Sequence, residues 1–189
     1  METLDDPPAG SENQWDVFLS YSSTDKPLVE KIQRYLERFK LPDGRRLTIF
    51  RDETDIRGGS LPNELNHALS VSGCLAVCCS ASSRKSVWVA REIEEYRRAG
   101  AERSIVPMIL SGDPDDVLHG DLADAEMRYC DLRPGWGLAG PRKQTRSELI
   151  RLVATASDSS FRELLPLDEL RRRRLRRKSI AVTAAVVAT

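Results

Sequence analysis

Short apolar runs alternate along this chain with stretches whose apolar residues recur every three or four positions. Asp16-Val17-Phe18-Leu19-Ser20 is a run of the first kind and predicts a short buried strand. Leu28, Ile32, Tyr35, Leu36 and Phe39 then follow at helical spacing, with Thr24 as the expected N-cap and Asp25 and Pro27 in the first turn. Leu41-Pro42-Asp43-Gly44 ends that helix, and Leu47-Thr48-Ile49-Phe50 predicts a second strand. A polar loop from Arg51 to Gly59 carries the paired glycines Gly58 and Gly59. Ser60 is placed to cap the next helix, with Pro62 in its first turn and Leu61, Leu65, Ala68 and Leu69 as its apolar stripe. A third strand is expected from about Cys74 to Cys79, and then a helix burying Val89, Ile93 and Tyr96. Ser104 to Leu110 predicts a fourth strand, where Pro107 offers no amide to a ladder and so belongs near a sheet edge. Met127 to Leu132 predicts a fifth, and Leu149, Ile150, Leu152 and Val153 mark a last helix starting near Thr145.

Strand and helix alternating through five units imply an α/β fold, a parallel sheet with helices on both faces. In such a sheet the loops that follow the strands gather along one edge, where open α/β sheets build their sites. Three loops converge there: Ser20 to Thr24, Arg51 to Ser60, and Ser80 to Trp88. Trp88 and Glu92 sit four residues apart, on one helix face, just past that edge. An aromatic wall, a carboxylate, several hydroxyls and a glycine loop are thereby brought together.

Composition narrows the chemistry. The formal net charge of the 189 residues is zero, so bulk charge argues for no nucleic-acid partner. The four cysteines, Cys74, Cys78, Cys79 and Cys130, form neither a CxxC pair nor a metal spacing with His67 or His119. They are expected to be reduced core thiols, and no metal site is expected. No strand is followed by a GxGxxG or a P-loop, so conventional dinucleotide or triphosphate binding finds no motif. No nucleophile triad suggests itself.

The three convergent segments resemble those of TIR domains (Toll/interleukin-1 receptor homology). Asp16-Val17-Phe18-Leu19-Ser20-Tyr21-Ser22 is similar to their opening strand. Phe50-Arg51-Asp52-Glu53-Thr54-Asp55-Ile56-Arg57-Gly58-Gly59-Ser60-Leu61 resembles their BB loop. Ser86-Val87-Trp88-Val89-Ala90-Arg91-Glu92 resembles the segment with the glutamate of NAD-cleaving members, and Ile105-Val106-Pro107-Met108 their fourth strand. The resemblance spans residues 14 to 156 and implies a flavodoxin-like sheet of five parallel strands. It also implies one of two activities: cleavage of the nicotinamide–ribose bond of NAD, or non-catalytic assembly with other TIR domains as a signalling scaffold. On the first reading the protein is an immune or antiphage effector activated by self-assembly into a homo-oligomer or filament. Glu92 is then the catalytic residue. Ser20, Tyr21, Ser22, Arg51, Asp52, Gly59, Ser60 and Trp88 are the candidates to bind NAD, which is a substrate and not a cofactor. Ser22 and Ser23 depart from members that carry basic residues there.

The ends of the chain differ in composition. Residues 1–13 are acidic, with two prolines and a Gly-Ser, and are expected as a disordered tail. Residues 157–178 are expected as a basic linker ending in Arg171, Arg172, Arg173, Arg174, Arg176, Arg177 and Lys178. The apolar run from 179 to 189 is about half of the ~20 residues that a membrane helix needs. It reads either as the start of a truncated transmembrane helix, with the arginines holding the domain on the cytoplasmic face, or as a peripheral basic end.

Overall fold

Successive side chains along a strand point to opposite faces, and the central strands bury both of theirs. In β1 (Trp15–Ser20), Val17 and Leu19 enter one apolar cluster and Phe18 the other. In β3 (Ser72–Cys79), Cys74, Ala76 and Cys78 face the first cluster while Leu75, Val77 and Cys79 face the second. This double burial explains runs that are apolar throughout and not alternating. The computed structural model describes residues 14–51, 63–100, 104–123, 128–133, 135–137 and 140–187.

With β2 (Ile49–Arg51), β4 (Ser104–Ile109) and β5 (Cys130–Asp131), these strands form a five-stranded parallel sheet in the order β2-β1-β3-β4-β5. This is the flavodoxin-like α/β architecture. The first cluster is covered by α1 (Lys26–Glu37), α6 (Lys143–Ala156) and the start of α7 (Phe161–Val187). The second is covered by α2 (Asn63–Ser70), α4 (Val87–Arg98) and α5 (Pro114–Val117). A one-turn helix, α3 (Ala81–Arg84), follows β3, and a two-stranded hairpin of β6 (Trp136–Gly137) and β7 (Gly140–Pro141) precedes α6.

Most differences from the sequence reading lie at element ends. A 3-10 turn, Ser23–Asp25, precedes α1, so the position before the helix is Asp25 and not Thr24, and it makes no side-chain cap. β2 starts two residues later than expected and ends one later, β3 starts earlier at Ser72, and α6 starts at Lys143. β5 keeps only Cys130 and Asp131 in the ladder. Pro107 sits where expected: β3 pairs with it through Val77, whereas β5 engages only Met108 and Ile109. Met127, Ser60, Leu61 and Pro62 lie outside the described residues.

The larger difference is at the C-terminal end. Residues 161–187 form one helix with Pro166 inside it, and its first turns pack onto the domain through buried Leu164 and Asp168. Among the described residues no helix is long and apolar enough to cross a membrane, so the expected anchor gains no support.

All four cysteines are free and buried. Burial pushes the thiols of Cys74, Cys79 and Cys130 up to about 12, and Cys78 well above its ordinary value, with smaller contributions from the Cys130 thiol on Cys74, from Asp25 on Cys78 and Cys79, and from Glu148 on Cys130. The thiolate is the reactive form. We therefore expect no iodoacetamide labelling of the native protein at about pH 8, and four labelled thiols after unfolding in urea, read by intact mass. Fast labelling of the folded chain would contradict this core placement.

Candidate active site

The sheet order has one reversal point. From β1 the chain steps outward to β2, then returns across β1 to β3, so the crevice beyond the carboxyl ends of β1 and β3 is the topological switch point. Ser20 is the last residue of β1, and Ser80 directly follows β3. Both are buried.

Strand alternation aims the neighbouring side chains. Leu19 faces α1, and Arg51 lies in register with it on β2. Arg51 accordingly turns to α1, where its Nη1 lies 3.4 Å from Glu30 Oε1. Ser20, one residue on, turns the opposite way to α4, and its hydroxyl donates a hydrogen bond to Glu92 Oε2. Glu92 is only 6% exposed. A carboxylate so buried is costly without partners, and the Ser20 hydroxyl is one built into the sheet.

Helix α4 presents Glu92 through its own local chemistry. Ser86 is its N-cap and accepts from the Val89 amide at 3.3 Å. Val89, Ile93 and Tyr96 anchor the helix in the second cluster, and the Tyr96 hydroxyl donates to the Ser72 carbonyl. Trp88 is half-buried, packs on the edge of that cluster, and carries the Arg91 guanidinium 5.3 Å from its ring centroid. Packing is thus one established role of Trp88.

Beside this pair lies a second acid that the sequence reading left as a first-turn residue. Asp25 accepts a hydrogen bond from the Ser80 hydroxyl at 2.6 Å. Burial raises the Asp25 carboxyl above its ordinary range, and the Ser80 bond opposes that rise. Asp25 and Glu92 both act on the Cys78 thiol, so the two carboxylates share one neighbourhood at the strand ends. Ser80 is fixed by a capping box with Ser83, each side chain bonding the other's backbone amide. Two serines three residues apart after a strand were the available signal.

The structure therefore brings Ser20 and Glu92 into contact and places Trp88 on the same helix. Tyr21 continues from Ser20 and packs partly against the first cluster, and Ser22 precedes the 3-10 turn in extended backbone. Arg51 shares the strand-end edge but points to the α1 side. Asp52, Gly59 and Ser60 lie outside the described residues. His67 is exposed on α2, whereas His119 is buried, and burial followed by the Arg84 charge pushes its imidazole below the ordinary value. Among the described residues no cluster of three His, Cys, Asp or Glu is placed to hold a metal ion.

A flavodoxin-like sheet with a buried glutamate at its switch point defines an α/β domain with a strand-end site. The chain belongs to the TIR domain family, whose description matches residues 17–150. It is similar to the NAD(+) hydrolase ApTIR of Actinoplanes sp., at 29% identity over 203 residues. That match covers 92% of this chain and spans 28% of the relative's length. The fold is similar to the TIR domains of the activated Roq1 resistosome, with a TM-score of 0.50 and 21% identity over 74% of this chain and 98% of that one. The TIR domain of the Toll-related receptor TRR-2 from Hydra magnipapillata also aligns, at a TM-score of 0.46 and 20% identity over 64% of this chain and 90% of that domain.

Proposed function

We propose that this TIR domain cleaves the bond between nicotinamide and ribose in NAD, with Glu92 as the catalytic carboxylate. The observation that carries the reading is Glu92 itself, a buried carboxylate tied to Ser20 at the switch point of the sheet. The similarity to an NAD(+) hydrolase supports the substrate.

The chemistry asks little of the protein. Nicotinamide is cationic while attached to ribose and leaves neutral, so no general acid is required. The transition state resembles an oxocarbenium ion, as in other glycoside cleavages. One carboxylate next to the ribose binds its hydroxyls and stabilises the developing positive charge. Ser20 keeps that carboxylate from turning away. Trp88 walls the pocket with its free edge, and Tyr21 and Ser22 contact the same nucleotide. Asp52, Gly59 and Ser60 are the remaining candidates to bind NAD. Water captures the ribosyl cation to give ADP-ribose, or an adenine nitrogen captures it to give a cyclic product. The four unpaired thiols suit a reducing compartment, where NAD is available.

The test is nicotinamide release from NAD by the purified chain, followed by chromatography, with the ADP-ribose product identified as linear or cyclic. No release under any condition, including forced clustering, would reject the reading and favour a TIR scaffold that assembles without catalysis. The observation that speaks for assembly is Val87, next to Trp88 at the site's margin and 62% exposed. A second copy seated on that margin would complete the pocket. Specific activity is then expected to rise steeply with protein concentration, alongside oligomers seen by light scattering. A flat specific activity across that range would remove assembly from the mechanism.

A further inference from the structure

On the face of the sheet opposite Glu92 lies a cleft of about 660 Å³ that NAD cleavage does not use. Lys31, Arg34 and Arg38 of α1 form one wall, and Arg171 and Arg172 of α7 form another. The β6–β7 hairpin closes a third side with Trp136, and Arg142 and Arg146 complete the cationic lining. Seven cations therefore face one carboxylate, Asp168. Among the described residues only Arg146 of the seven is ion-paired, through its Nε to Asp168 Oδ2 at 2.9 Å.

The imbalance is built into the floor. Asp168 is 2% exposed and is already engaged by the Tyr35 hydroxyl at 2.9 Å and by Arg146. Arg171 lies over the Tyr35 ring, 5.0 Å from its centroid, and its Nη1 is buried with no hydrogen-bond partner among the described residues. A buried guanidinium donor without an acceptor is costly, and an anion in the cleft that Arg171 lines would offset its charge. Burial, with the Arg38 and Arg46 charges added to it, pushes the Arg171 guanidinium below its ordinary value. The N-terminus of the fourteen-residue α6 opens at the rim, where Arg142 occupies the cap position without a side-chain bond to the helix. Its amides add partial positive charge on the same side.

We propose that this cleft is a second ligand site, for a nucleotide carrying at least two phosphates, with the phosphates on Arg171, Arg38 and Lys31 and the base against Trp136. The volume lies within the range of about 300–1,000 Å³ usual for small-ligand sites. Paired guanidiniums match phosphate oxygens, and a half-buried indole offers the flat apolar face that a base stacks on. A bare polyanion would leave that face unused. The cleft shares no residue with the Glu92 site, so this assignment stands apart from NAD cleavage.

The experiment is calorimetric titration of the full chain with ADP, with tripolyphosphate, and with phosphatidylcholine vesicles bearing a phosphoinositide. ADP is expected to saturate one site and to bind more tightly than tripolyphosphate. Lys31 and Arg38 are exposed, so the Lys31→Gln/Arg38→Gln double variant retains the fold. It is expected to weaken ADP about a hundredfold, at least about tenfold for each of the two lost charge-assisted contacts. Arg171→Gln should weaken ADP further, with a urea midpoint recorded to show that it is folded. Trp136→Leu should lower the affinity for ADP and leave tripolyphosphate unchanged. Absence of saturable ADP binding up to about 1 mM would overturn the proposal. So would ADP binding unchanged in Lys31→Gln/Arg38→Gln, equal affinity for ADP and tripolyphosphate, or capture by the vesicles alone.

Discussion

Glu92→Gln is expected to lower nicotinamide release by about 10³-fold or more, with KM for NAD changed far less. The substitution keeps size and shape and removes only the charge. The amide oxygen can still accept from Ser20, so the helix and the strand end stay as they are. What disappears is the negative charge facing the ribosyl cation, which is made in the transition state and not in the ground state, so the loss falls on kcat. In the buried setting of Glu92 that charge is poorly screened, which is why one atom exchange has so large an effect. Ser20→Ala should be milder, about 10–100-fold, because it loosens the carboxylate without deleting it. Circular dichroism and urea midpoints on both variants show that the fold is intact. Activity that survives Glu92→Gln would remove Glu92 from the chemistry and move attention to Asp25, the other carboxylate at the strand ends.

Much of this site is legible in the sequence because it follows from two periods. The period of two in β1 sends Leu19 to one face and Ser20 to the other, and the helical period places Trp88 and Glu92 together. The order of strands and helices then puts both at one edge. What the sequence conceals is what charged residues hide. Phe161, Leu164, Leu165, Asp168 and Arg171 recur at helical spacing, yet the face carries an acid and an arginine where apolar residues would reveal it, and Pro166 argues against a helix interior. The segment reads as a basic linker because an ion pair at Asp168 shares the core contact with Leu164 and its apolar neighbours. In β5 the misleading signal is the opposite one. Met127 to Leu132 looks like a full strand, but Arg128 and Tyr129 are exposed, and among the described residues only Cys130 and Asp131 enter the β4 ladder, with the Leu132 amide donating to the Ile109 carbonyl just beyond it. A two-residue edge strand offers little for another chain to pair with.

The Asp168 junction makes the second large prediction, on stability. Asp168→Ala is expected to destabilise the docking of α7 by about 3 kcal/mol. The carboxylate is 2% exposed and bridges three elements: it sits on α7, accepts the Tyr35 hydroxyl of α1, and pairs with Arg146 of α6. Removing it strands two donors at once. Burial first, and then the Asp168 charge, push the Tyr35 hydroxyl above its ordinary range, so it remains a protonated donor that needs an acceptor. Arg146 is left with a side chain only 14% exposed. Each unsatisfied group carries a cost of roughly 1–3 kcal/mol. Asp168→Asn keeps an acceptor for Tyr35 and is expected to lose about half as much. Urea unfolding measures the global part. Trypsin cleavage in the run Arg171 to Arg174 measures the local part, because it requires α7 to open. An opening equilibrium shifted by about 3 kcal/mol should speed that cleavage on the order of 100-fold, while a loss below about 1 kcal/mol by both methods would mean that Leu164 and its neighbours hold α7 without the ion pair.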